Sequence, residues 1–231
     1  MVALITGASK GIGYAIAMAL AGKGYNLIIS STNPAELNLA ADNILKTNNN
    51  ITVTCIIADL STAVGQNQFA SQLGNNPIHV LVNNAGRYLP GSVYNEPEGT
   101  LQNMINTNLY SAYAVTRAVL PLMLPQKSGY IFNICSIAGM QAYANGGSYS
   151  ISKFALIGFS KNLRLELMPH GIAVTTINPG ATWSSAWAGV DLPKQRLMEA
   201  TDIAALVLAC TTLSPQAVVE EITLRPLLGD L

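Results

Sequence analysis

Short apolar runs of strand length punctuate this chain at residues 2–5, 26–30, 52–57, 79–82, 130–135, 173–177 and 219–224, with longer helix-length segments between them. Such alternation predicts βαβ units and a parallel sheet. Strands covered on both faces read as unbroken apolar runs, and Tyr130-Ile-Phe-Asn-Ile-Cys135 does so with Asn133 as the exception. Helices are therefore expected on both faces of the sheet. Residues 113–124 and 154–167 are apolar around much of their circumference, the pattern of helices buried on two sides. The polar clusters at 47–50 and 74–77 read as turns, and no repeat or low-complexity segment interrupts the pattern. Residues 1–231 are read as one domain, a length usual for a single α/β unit.

Composition narrows the class of partner. Hydrophobic residues make up 50% and charged residues only 10%, against about 25% in ordinary soluble domains. Mean hydropathy is +0.33. The most apolar stretches, 203–209 and 118–124, fall far short of the ~18 residues a membrane-spanning helix needs. Met1-Val-Ala-Leu-Ile-Thr-Gly7 runs straight into a strand without the basic and apolar regions of a signal peptide, so a cytoplasmic protein is expected. With a net charge of +0 and no block of Lys or Arg, neither nucleic acid nor an anionic membrane is an expected partner. A small organic molecule is. Cys55, Cys135 and Cys210 lie in apolar segments without CxxC spacing, and are read as buried small hydrophobes, not as a disulfide or a metal site. His79 and His170 fall in no motif.

Two segments carry candidate chemistry. Tyr149 and Lys153 stand at i and i+4, on one face of a helix, with Ser136 upstream. A tyrosine ordinarily titrates near pH ~10, and a neighbouring cation lowers that value, which would make Tyr149 a general acid or base. After the first strand, Thr6-Gly7-Ala8-Ser9-Lys10-Gly11-Ile12-Gly13 forms a glycine-rich turn into a helix, where backbone amides can approach a pyrophosphate. Its GxxxGxG spacing differs from the usual dinucleotide GxGxxG. Where an acidic residue would bind the ribose 2′-hydroxyl of NAD stand Ser30, Ser31, Thr32 and Asn33, which would not repel a 2′-phosphate, and Lys10 supplies positive charge. NADP is thus favoured over NAD. Alone, each segment is also what a solvated lysine beside a half-buried ring, or a tight packing turn, looks like.

Taken together these residues resemble the short-chain dehydrogenase/reductase family over essentially the whole chain. The motifs are Thr6-Gly7, Gly11 and Gly13; Asp59 in Ala58-Asp59-Leu60; Asn83-Asn84-Ala85-Gly86; Asn108; Ser136; Tyr149 with Lys153; and Asn178-Pro179-Gly180. The resemblance implies an α/β Rossmann fold, a doubly wound parallel sheet of about seven strands, and an NADP(H)-dependent oxidoreductase acting on a carbonyl or alcohol. It assigns catalysis to Asn108, Ser136, Tyr149 and Lys153. Cofactor binding falls to Thr6, Gly7, Ser9, Lys10, Gly11, Ile12, Gly13, Ser31, Thr32, Asp59, Leu60, Asn84, Ala85, Gly86, Pro179 and Gly180. Tyr149 and Lys153 would share that task, and Thr182 or Ser184 would meet the carboxamide. It also implies a homodimer or homotetramer formed through the apolar helices and the last strand. Tyr88, Met140, Tyr143, Trp183 and Trp187 are expected around the substrate, and Trp183 and Trp187 are equally spaced for a packing pair. Reduction of a 3-oxoacyl thioester is the alternative activity, weakened because Lys127 and His170 stand where arginines occur in such reductases. A cofactor-binding sensor without turnover is the alternative of another class.

Overall fold

The computed structural model describes residues 1–184 and 191–230. Seven strands form one parallel sheet: β1 (Val2–Thr6), β2 (Asn26–Ser31), β3 (Val53–Ile57), β4 (Val80–Asn83), β5 (Gly129–Ile134), β6 (Ile172–Pro179) and β7 (Glu221–Leu224). The helices are α1 (Gly11–Gly22), α2 (Pro34–Thr47), α3 (Ala63–Gln72), α4 (Thr100–Ile105), α5 (Ser111–Met123), α6 (Gly147–Leu167) and α7 (Ala200–Cys210). Strand order is β3-β2-β1-β4-β5-β6-β7, so the chain reverses its direction of winding between β1 and β4. This is the expected single doubly wound sheet.

Alternate residues of each central strand feed two cores. Ala3, Ile5, Leu27, Ile29, Val80 and Val82 meet Ile16, Leu20, Leu37, Ile203 and Val207 from α1, α2 and α7 on one face. Leu4, Ile28, Leu81 and Ile131 meet Phe69, Val115, Val119, Leu163 and Leu167 from α3, α5 and α6 on the other. Full burial of such a side chain contributes roughly 1.5–3 kcal/mol, which is why the central strands show no polar alternation. Asn133 breaks the run for a reason. Its Oδ1 accepts from Asn83 Nδ2 at 2.8 Å and its Nδ2 donates to Ser160 Oγ at 2.9 Å, while Asn83 Nδ2 also donates to Thr116 Oγ1. One buried polar chain thus ties β4 and β5 to α5 and α6.

One expectation needs correction. Cys55 is only half-buried, because β3 is an edge strand, whereas Cys135 and Cys210 are buried. On helices α5 and α6, Tyr113, Ile151 and Phe154 remain exposed on the face this chain does not cover, which is the face expected to meet another copy. Among the described residues no helix is long and apolar enough to cross a membrane.

Candidate active site

The carboxyl ends of the strands open onto a cleft of about 1040 Å³ at the reversal between β1 and β4, the place where open α/β sheets receive ligands. Of the residues singled out above, Gly7, Ser9, Lys10, Gly11, Ile12, Ser31, Thr32, Asp59, Leu60, Asn84, Ala85, Gly86, Ser136, Tyr149, Lys153, Pro179, Gly180 and Thr182 line it. Thr6, Gly13 and Asn108 lie outside the lining and hold parts of it in place.

At one end the turn after β1 delivers the chain into α1. Gly13 packs so closely on this turn that a Cβ there would lie 2.4 Å from Asn84 Nδ2 and 2.5 Å from Gly7 O. Thr6 Oγ1 accepts the N–H groups of Asn84 and Ala85, and Asn84 Nδ2 donates back to Thr6 O and Gly7 O, so the turns after β1 and β4 are pinned together. The first turn of α1 has no acidic residue and no side-chain cap, leaving its N–H groups directed at the cleft. Ser30 Oγ, in the cleft wall, is buried without a partner. An uncapped helix N-terminus beside an unsatisfied hydroxyl suits a phosphate-bearing ligand.

Sequence reasoning missed one residue here. Glu36, in the first turn of α2, accepts from Ser9 Oγ at 3.4 Å and from Lys10 Nζ at 3.2 Å, and Ser31 Oγ donates to Ser9 Oγ at 3.1 Å. A carboxylate therefore does stand beside the residues thought free of any group that repels a 2′-phosphate. Its signal was the helix start: Asn33 Oδ1 caps α2 by accepting from Glu36 N, with Pro34 at the first turn.

At the other end a short turn after β5 presents Ser136 and packs on α6, so tightly that a Cβ on Gly139 would lie 2.7 Å from the Lys153 backbone. Ser136 Oγ accepts from Ala138 N and donates to Pro179 O. Lys153 is buried, and its Nζ donates to Ile134 O at 2.9 Å while standing 5.9 Å from the centre of the Tyr149 ring. Burial lowers the Lys153 pKa. Burial also raises that of Tyr149, outweighing the lowering effect of its hydrogen bond with Ser136. The expectation that Lys153 pulls the phenol down is thus corrected: in this arrangement desolvation dominates, and the phenol keeps its proton. Cys135, beside them, is pushed up to about 11 by burial.

Asn108 sits fully buried in a π-helical turn, Asn106–Tyr110. Its Oδ1 accepts from Arg87 N, and its Nδ2 donates to Arg87 O and Ser152 Oγ. It joins the turn after β4 to α6 from just behind the cleft lining. A second missed residue, Glu96, accepts from Ser148 N at 2.9 Å and from Ser148 Oγ, closing the N-terminus of α6 beside Tyr149 from 52 residues away.

Around Tyr149, the ring of Tyr88 stands edge-on at 4.9 Å, and Tyr88 and Tyr143 both line the cleft. Burial raises the Tyr143 pKa. Met140 and Trp183 are not in the lining; Met140 Sδ accepts from Thr223 Oγ1. Trp187 lies outside the described residues. Ser184 lines the cleft with Thr182, whose Oγ1 donates to Gly180 O. Arg87 and Asp230 add charges to the lining that sequence reasoning did not single out. Lys127 precedes β5 and His170 precedes β6, at the amino ends of these strands and so opposite the cleft.

Comparison with known proteins agrees with this architecture. The family model described as short chain dehydrogenase matches residues 1–193. The chain is 34% identical to the sepiapterin reductase of Chlorobaculum tepidum, over 99% of this chain and 97% of that protein. It superposes on a metagenomic short-chain oxidoreductase in complex with NADP with a TM-score of 0.84 at 30% identity, covering 98% of this chain and 96% of that one. An alcohol dehydrogenase from the archaeon Thermococcus sibiricus, complexed with 5-hydroxy-NADP, gives a TM-score of 0.88 at 27% identity with the same coverage.

Proposed function

The chain belongs to the short chain dehydrogenase family, and on that premise we propose that it exchanges a hydride between NADP(H) and a ketone, aldehyde or alcohol, with Tyr149 moving the accompanying proton. The observation that supports this most is convergence: the uncapped start of α1 and the Ser136, Tyr149 and Lys153 group share one cleft. When bound, the nicotinamide supplies the hydride; the protein supplies position and electrostatics. Thr6, Gly7, Gly11, Ile12 and Gly13 shape the turn that would hold the phosphates. Asp59 and Leu60 would meet the adenine, and Asn84, Ala85 and Gly86 the adenosine side. Pro179, Gly180 and Thr182 would flank the nicotinamide.

At the reacting end, Ser136 Oγ would hold the substrate oxygen while the Tyr149 hydroxyl gives it a proton. Lys153, on the same helix face, would bind the ribose hydroxyls and stabilise the phenolate left behind. Asn108 acts through the Arg87 backbone and Ser152, as a positioning residue. The NADP-bound relatives and the donors Ser9, Lys10, Ser31 and Thr32 at the cleft support NADP as a cofactor. Tyr88 and Tyr143 give the substrate end an aromatic wall suited to a small apolar carbonyl compound.

The raised Tyr149 pKa fixes a pH dependence. A proton donor must be protonated, so kcat/KM for carbonyl reduction should stay level from neutral pH into the alkaline range. It should fall only as pH climbs past the raised value, above the ordinary ~10. Alcohol oxidation, which needs the phenolate, should gain over the same range. A reduction profile already falling through pH 7–8 would contradict this assignment. The exposed Tyr113, Ile151 and Phe154 support assembly as a homodimer or homotetramer, and light scattering at micromolar concentration should show no monomer.

A further inference from the structure

We propose that Glu36 sets the cofactor preference of this chain by competing with the 2′-phosphate of NADP for its own donors, so that NADP(H) and NAD(H) bind within about tenfold of each other. This rests on reading the cleft as a nicotinamide dinucleotide site. Three cleft-lining groups that could receive a 2′-phosphate, Ser9 Oγ, Lys10 Nζ and Ser31 Oγ, are joined to one carboxylate: two contact Glu36 directly, and Ser31 does so through Ser9. Glu36 thereby occupies these donors with an anion of the chain's own.

The consequences follow from charge and exposure. Lys10 is the one cation of this cluster, and its side chain is 59% exposed against 42% for Glu36. An exposed pair of this kind is weak and opens readily. A dianionic phosphate can therefore take Lys10 and Ser9, but must do so with the Glu36 carboxylate still nearby, and the resulting like-charge repulsion lowers its affinity. For NAD the same carboxylate, held beside Ser9 and Lys10, would serve as an acceptor for the ribose hydroxyls, as an acidic residue at the end of β2 would. One residue thus weakens one cofactor and assists the other.

Glu36→Gln removes the charge while preserving the shape, and the cap of α2 survives because it uses only the Glu36 backbone N–H. Fluorescence titration of NADPH and NADH onto the purified protein, without substrate, gives both dissociation constants independently of turnover. The expected result is a five- to twentyfold tighter NADPH constant in Glu36→Gln and an NADH constant unchanged or up to about threefold weaker. High salt should shrink the NADPH effect, since the charges are exposed. Glu36→Ala serves as the second variant should the glutamine protein fold poorly. A ratio of the two constants unchanged in both variants, or shifted toward NADH, would overturn the role of Glu36 while leaving the dinucleotide site standing. Failure of the native protein to bind either cofactor would instead overturn the dinucleotide reading on which the role depends.

Discussion

Tyr149→Phe is expected to cut carbonyl reduction by roughly 10²- to 10⁴-fold, the usual contribution of a positioned general acid, while the NADPH dissociation constant stays within about twofold. The ring is retained, so the edge-on contact with Tyr88 at 4.9 Å and the packing of α6 survive the change. What is lost is the hydroxyl that shares a hydrogen bond with Ser136 and that is proposed to give its proton to the substrate oxygen. Lys153 is not expected to replace it, because its ammonium is assigned to the ribose hydroxyls while also donating to Ile134 O. The fall should appear in kcat and kcat/KM alike, as for an interaction made only in the transition state. A variant that loses activity together with cofactor binding would point to a structural role instead.

Gly13→Ala should have the second-largest effect, at the other end of the cleft. The added Cβ would fall 2.4 Å from Asn84 Nδ2 and 2.5 Å from Gly7 O, distances that no side-chain rotation relieves, because one partner is backbone and the other is fixed by two hydrogen bonds. The turn after β1 must move away from the turn after β4. Overpacking of this kind costs about 1–3 kcal/mol, and the same displacement misplaces the first amides of α1. Melting temperature should drop, and NADPH binding should weaken by roughly ten- to a hundredfold, measurable by titration without substrate. Gly11→Ala is the informative control: a Cβ there meets nothing within 4 Å, so its cost comes only from the positive φ of +60°.

Much of this architecture is legible in the residues themselves, because strands buried on both faces must be apolar throughout. The run around Ile131 and Phe132 announces β5, and even its polar exception, Asn133, is explained by partners on β4 and α6 that only the fold brings near. The glycine turn is legible for a related reason: close approach of α1 to Asn84 excludes every side chain. What the sequence hides depends on distance along the chain. Glu96 reaches the start of α6 across 52 residues, with no local pattern to betray it. Glu36 stands beyond the end of β2, where a search for an acidic residue at the strand terminus passes it by; the capped first turn of α2 brings its carboxylate back to Ser9 and Lys10. The direction of the Tyr149 pKa is hidden as well, because i, i+4 spacing shows that two side chains share a helix face, but not how deeply each is buried nor that Ile134 O already engages the ammonium.

The most direct test of the proposed activity offers the protein NADPH deuterated at the transferable position, with separate panels of ketones, aldehydes and a short 3-oxoacyl thioester, and examines the products by mass spectrometry. The expected result is a ketone- or aldehyde-derived alcohol carrying the deuterium on its carbinol carbon, formed as the reduced-nicotinamide absorbance falls and at least about a hundredfold more slowly with Tyr149→Phe. NADPH bound by the native protein without label reaching any product would contradict hydride transfer to a carbonyl as its function.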